Sequence, residues 1–145
     1  MAYLTNDLDR AKPLFPERLG IREFQDLGGP LPHGGKIRIA PAWVGTTMYE
    51  PMETEGSEIS VYADWLPGDA GCHLRHHHLG FILHDSAQLH GVETAARAVD
   101  WPVAHRNANP LVEVAFVHAP ELGHYLEYTL PTEAGLEFFN SVPRS

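Results

Sequence analysis

The sequence predicts an α+β protein made of two βαβββ modules, and three observations carry that expectation. The apolar spacing switches between strand and helix periods in the same order twice along the chain. Each half places an acidic helix start, Asn6-Asp7 or Asp85, directly after an opening strand. The halves also overlay residue by residue, with Thr5-Asn6-Asp7 on Leu83-His84-Asp85 and Thr47 through Pro51 on Glu127 through Pro131. Such an internal repeat builds a shared core that neither half builds alone.

The first module opens with a short strand at Tyr3-Leu4-Thr5. Leu8, Ala11, Leu14, Phe15 and Leu19 then recur at helical spacing, with Pro13 and Pro16 expected to split the helix and Gly20 to stop it. Residues 21–24 read as extended, Gly28-Gly29-Pro30 and Gly34-Gly35 as turns, and residues 36–44 and 46–52 as two further strands. The organisation that follows is a first module over 1–53, a polar linker over 54–72 holding an apolar island at 61–66, a second module over 73–131, and a C-terminal helix and tail over 132–145. In the second module, residues 76–83 form the opening strand. Asp85 and Gln88 make a capping pair ahead of Leu89, Val92, Ala96 and Val99, and residues 101–105, 111–118 and 124–130 are strands. Leu136 and Phe139 of the closing helix are expected to dock on the core.

The chain has 145 residues, is 43% hydrophobic and carries a formal charge of −9, enough apolar content for one compact domain. Its basic residues are scattered, which argues against nucleic acid or an anionic membrane as partner and in favour of a small molecule or a second copy of the chain. No apolar run approaches membrane-spanning length, the start lacks the plan of a signal peptide, and the single Cys72 forms no internal disulfide. A cytoplasmic home is expected. Cys72 lies beside His73 in the linker, where sequence adjacency does not orient a histidine as its base, so it reads as a bland thiol. Phosphate loops and G-x-S-x-G elbows are missing from the sequence.

The stretch His78-Leu79-Gly80-Phe81-Ile82-Leu83-His84-Asp85 resembles the opening strand of a vicinal-oxygen-chelate module, and Gly123-His124-Tyr125-Leu126-Glu127-Tyr128 resembles its last strand. The superfamily includes glyoxalases, epimerases, extradiol dioxygenases and bleomycin-resistance proteins. The resemblance implies a cupped, partly closed mixed sheet with helices outside. It also implies one divalent ion held by His or Gln from each opening strand and Glu from each last strand, here His78 and Glu127. In the first module the position matching His78 falls just before Met1, and the position matching Glu127 is Thr47. Glu50, at an odd offset from Thr47, is expected on the opposite face.

His76 lies two residues before His78, ~6.6 Å along the strand on the same face, which makes it a third ligand or a base. His76, His78 and Glu127 together suit zinc, nickel, manganese, cobalt or iron. Period-two alternation places Tyr125 and Thr129 with Glu127, and Tyr49 with Thr47, as pocket-lining residues. His77 and His124 point away from the pocket, His118 lies at a strand end, and Trp43, Phe81 and Phe116 read as packing residues. Two functions follow from the resemblance: a divalent-metal-dependent isomerase, epimerase or lyase acting on an oxygenated small molecule, with Glu127 and His76 as its proton-moving groups, or a non-catalytic small-molecule binder of the bleomycin-resistance type with a degenerate metal site. A homodimer is expected with either, because members of this superfamily often pair.

Overall fold

Asp7 and Asp85 each hold extended backbone and accept a hydrogen bond from an amide three residues on, Arg10 at 3.0 Å and Gln88 at 2.8 Å. A carboxylate so placed satisfies one of the orphan amides of a helix start, and each helix therefore begins where the acid stands. The structure is a computed structural model that describes residues 1–32 and 34–145. The chain divides into two units, Met1–His77 with Val142–Ser145, and His78–Ser141.

The first unit contains β1 (Ala2–Thr5), α1 (Leu8–Ala11), α2 (Leu14–Leu19), β2 (Leu27–Pro30), β3 (Lys36–Ile39), β4 (Ala42–Val44), β5 (Thr47–Glu55), α3 (Ser60–Ala63) and the opening residues of β6 (Leu74–Ile82). Its strands run β2-β3-β5-β1, with β1 parallel to β5, the other pairs antiparallel, and β4 also on β5. Pro13 separates α1 from α2, as expected of a residue without an N–H, and Gly20 at φ +73° ends α2 in the left-handed region.

Four expectations change here. Residues 21–24 form no strand; Ile21 is instead fully buried with Phe15 and Ala42. Gly28-Gly29-Pro30 is not a turn but β2, because a Cβ at Gly28 would collide with the Ile37 carbonyl of the paired strand, so this glycine serves close approach. The turn lies further on, at Gly34 and Gly35 with φ of +106° and +78°. Residues 36–44 break into β3 and β4 around Pro41. The stretch expected as a linker folds onto the core: Val61 of α3 is fully buried, and Tyr62, Trp65 and Leu66 pack on Ala2, Leu4 and Met52. The tail returns to this unit as well, with Trp43 N–H donating to the Pro143 carbonyl and the Arg144 guanidinium 4.9 Å above the Trp43 ring.

The second unit contains the rest of β6, α4 (Ser86–Ala98), β7 (Val103–Ala108), β8 (Val112–Ala119), a short 3-10 turn at Pro120–Leu122, β9 (His124–Pro131) and α5 (Glu133–Ser141). Its strands run β6-β9-β8-β7, again with the opening strand parallel to the last. Helix α4 covers one face: Leu89 packs with Leu83 and Ala115, and Ala96 with Val117, Ala119 and Leu126. Burying a leucine such as Leu89 contributes about 1.5–3 kcal/mol. Leu136 does not dock as expected. It is exposed, and the buried contact of α5 is Gly135, where any Cβ would strike the Leu111 carbonyl. Among the described residues no helix is long and apolar enough to cross a membrane.

Candidate functional site

The face of the second unit's sheet turned away from α4 gathers its polar and aromatic side chains. Parallel register sets His78 of β6 opposite Tyr125 of β9, and Gly80 opposite Glu127. Antiparallel register sets Phe116 of β8 opposite Glu127, His118 opposite Tyr125, and His105 of β7 opposite Phe116. Because side chains alternate along a strand, these positions share one side while Leu79, Leu126 and Val117 supply the other.

At the centre, His78 Nε2 lies 3.3 Å from Glu127 Oε2, with the His78 side chain 3% and the Glu127 side chain 20% exposed. Burial pulls the Glu127 carboxyl upward. The charge and hydrogen bond of His78, joined by the Thr129 hydroxyl, outweigh burial and hold it below the ordinary glutamate value. Glu127 is thus ionised at neutral pH, the form that a metal ligand or a base requires. Gly80 leaves room for it, since a Cβ there would lie 3.2 Å from Glu127 Oε2.

Of the residues expected at the site, His78, Glu127, Thr129 and Tyr125 come together on this face. His76 is placed differently: its ring lies 5.6 Å from that of Tyr3, and its carbonyl accepts the Trp65 indole N–H at 2.9 Å. Among the described residues no group of three or more His, Cys, Asp or Glu side chains gathers to hold an ion. Two ligand atoms on one tetrahedral zinc, each at 2.0–2.1 Å, lie about 3.3 Å apart. The His78–Glu127 separation fits two corners of such a centre.

The first unit's register revises the expectation at Thr47. Ala2 and Gly80 each stand five residues before their capping aspartate, so they are equivalent positions. Gly80 pairs with Glu127, and Ala2 pairs with Glu50. The counterpart of Glu127 is therefore Glu50, not Thr47, which pairs with Val44 at the start of β5. Tyr49, expected to line the pocket, packs with Phe15, Ile21 and Ala42 beside α2.

Sequence reasoning passed over His105 and treated His118 as a strand end. The His118 ring lies 5.2 Å from that of Tyr125, and the His105 ring 6.2 Å from that of Phe116. Phe116 is buried, as its reading as a packing residue implied, yet it packs edge-on against His78 at 5.2 Å and so belongs to the site. The groove along the β2–β3 hairpin, lined by Asp26 to Pro30 and Gly35 to Arg38, has a volume near 520 Å³ but has no histidine–carboxylate pair among these lining residues, so the chemistry is assigned to His78 and Glu127.

No protein-family profile and no curated protein matches the chain. Solved structures do. Methylmalonyl-CoA epimerase from Mycobacterium tuberculosis is 19% identical with a TM-score of 0.62, covering 90% of this chain and 85% of that one. Streptomyces coelicolor methylmalonyl-CoA epimerase in complex with 2-nitronate-propionyl-CoA is 15% identical with a TM-score of 0.58, covering 92% of each chain. A hypothetical protein from Bacillus halodurans C-125 is 16% identical with a TM-score of 0.57, covering 91% of each. At these identities the likeness establishes the fold alone, the α+β fold that these epimerase structures share.

Proposed function

Starting from a vicinal-oxygen-chelate fold, we propose that this protein is an isomerase or epimerase that moves a proton at a carbon next to a carbonyl group. The observation that carries the reading is the His78–Glu127 pair at 3.3 Å, a buried imidazole against a partly exposed carboxylate beside Gly80. Glu127 takes the proton and the C–H electron pair moves into the carbonyl to give an enolate; delivery of a proton to the opposite face of the same carbon gives the epimer, and, where that carbon bears a hydroxyl whose proton passes to the former carbonyl oxygen, delivery to the neighbouring carbon gives the isomer. Phe116 and Thr129 hold the pair in place from either side. Placing a carboxylate within reach of one acidic C–H bond is worth a large share of the barrier, because it replaces a bimolecular encounter.

His78 and Glu127 would hold a divalent ion, zinc, nickel, manganese, cobalt or iron, and such an ion would supply Lewis-acid polarisation of the substrate carbonyl. Elemental analysis of tag-free protein purified without chelator tests this part. A near-stoichiometric ion lost in both His78→Ala and Glu127→Ala supports it, and a metal-free protein that takes up none of these ions removes it. Support for the epimerase class comes from the activities in the neighbours' names.

A second reading, a binding protein without chemistry, is favoured by the setting of Glu127: the adjoining His78 and Thr129 hold its carboxyl below the ordinary glutamate value, which makes its carboxylate a weaker base. Deuterium incorporation at the carbon next to a carbonyl, followed by NMR in heavy water, separates the two. Exchange abolished by Glu127→Gln supports the enzyme. Ligand binding with no exchange, in protein supplied with each ion, supports the binder.

A further inference from the structure

The second unit has a charge balance and a surface chemistry that constrain what the pocket takes. It carries two basic against eight acidic side chains, a balance of −6 within a chain of −9. Both of its cations are engaged on the α4 side: Arg106 lies 3.0 Å from Glu93 and 2.9 Å from Glu113, and Arg97 lies 3.9 Å from Glu93. A ligand bearing several phosphate charges would meet a repulsive field here without a compensating cation.

What the face offers instead is rings. Phe116 meets His78 edge-on at 5.2 Å and Tyr125 edge-on at 6.4 Å, Tyr125 meets His118 at 5.2 Å, and Phe116 meets His105 at 6.2 Å. Phe116 is buried, while His105, His118 and Tyr125 are half-buried and keep part of each ring accessible. Beside them Gly80 and Ile82 are exposed, and nothing but the Glu127 carboxylate approaches a Cβ built on Gly80. A flat apolar body can lie against the partly exposed His118 and Tyr125 rings and continue their edge-to-face pattern, with its polar head reaching Glu127.

We propose that the pocket takes an uncharged small molecule with a flat ring and a hydroxycarbonyl head, and not a coenzyme A thioester. The inference rests on the reading of His78 and Glu127 as the reacting pair, but its test separates the two. Phenacyl alcohol, a phenyl ketone with a hydroxymethyl head, and propionyl-CoA are titrated into the whole protein and followed by saturation-transfer NMR, with deuterium exchange at the hydroxymethyl carbon read in the same tube. Phenacyl alcohol is expected to bind through its ring protons at least about tenfold more tightly than propionyl-CoA. Its binding should be insensitive to salt and weakened about threefold or more by His118→Ala, or by Tyr125→Leu should that first variant misfold. Propionyl-CoA binding as tightly, no binding of phenacyl alcohol, or binding unchanged in the folded ring variants would overturn the proposal. Binding without exchange leaves this substrate class standing and removes the proton-transfer reading.

Discussion

Gly80 stands across the parallel β6–β9 pair from Glu127, and a methyl group on it would come 3.2 Å from the carboxylate oxygen that faces His78. Gly80 has an ordinary negative φ, so alanine fits the backbone and relieves about 0.5–1 kcal/mol of the glycine's entropic cost in a strand. The far end of the Glu127 side chain must then give way by a few tenths of an ångström. Gly80→Ala is expected to keep or slightly raise the melting temperature while lowering the exchange rate at least about tenfold, since small displacements of a base are costly. An alanine variant with unchanged activity would show that the carboxylate position is not critical.

The acidity of Glu127 has a sign that can be checked. A carboxyl held below its ordinary value contributes stability that is present above the unfolded-state value and is lost as pH falls through the folded one. Wild-type stability should therefore rise with pH across that acidic interval. In His78→Ala the main lowering partner is gone, and burial, the largest single influence, dominates over the Thr129 hydrogen bond that remains. Glu127 should then titrate above an ordinary glutamate, and its contribution should reverse, falling as pH rises through the unfolded-state value. Carboxyl-carbon NMR titration and urea unfolding at several pH values read both effects, with a loss at neutral pH on the order of 2 kcal/mol once the partial exposure of Glu127 is allowed for.

Much of this architecture follows from short-range chemistry, and the parts that do not are those set by register. Asp7 and Asp85 could be recognised because a cap acts over three residues. His78 and Glu127 were found through a likeness of whole strands. Thr47 was matched to Glu127 because the overlay assumed equal spacing in both halves, whereas the pairing of β1 with β5 puts Glu50 there. That pairing joins residues 48 apart, beyond the reach of local pattern. His118 had a usable signal: the tight connection from Pro120 to Gly123 sets it opposite Tyr125 once residues 112–131 are taken as a hairpin. His105 had none, because the register irregularity between Val103 and His105 decides its face.

The clamp between α4 and β7 makes a third prediction. Glu93 is 4% exposed, and its Oε1 lies 3.0 Å from Arg106 Nε without the alignment of a hydrogen bond. Arg106→Met leaves the buried Glu93 carboxylate with only the largely exposed Arg97, 3.9 Å away, and should cost about 2–4 kcal/mol in urea unfolding. Glu93→Leu with Arg106→Met replaces the pair by apolar contacts and should recover most of that loss. With the Glu93→Leu single variant completing the cycle, a double-variant cost equal to the sum of the two single costs would show that the two residues are not coupled.

The last prediction concerns how the first unit's aromatic connection is held. His77 is fully buried, its Nε2 lies 2.6 Å from the Val61 carbonyl, its ring stacks on Tyr62 at 5.3 Å, and Trp65 meets it edge-on at 5.2 Å. Next to it, the Trp65 indole donates to the His76 carbonyl. Strand alternation explains why one histidine of the run serves packing while its neighbour His78 serves the site. His77→Ala removes a ring, a hydrogen bond and two aromatic contacts, leaves the Val61 carbonyl unsatisfied, and should cost about 3 kcal/mol. His77→Gln can keep a donor to that carbonyl and should cost less. Trp65 fluorescence, compared with a Trp65→Phe control, should report a changed environment in the alanine variant before global unfolding. Two variants of equal stability, with Trp65 emission unchanged in both, would mean that the hydrogen bond to Val61 does not hold this segment.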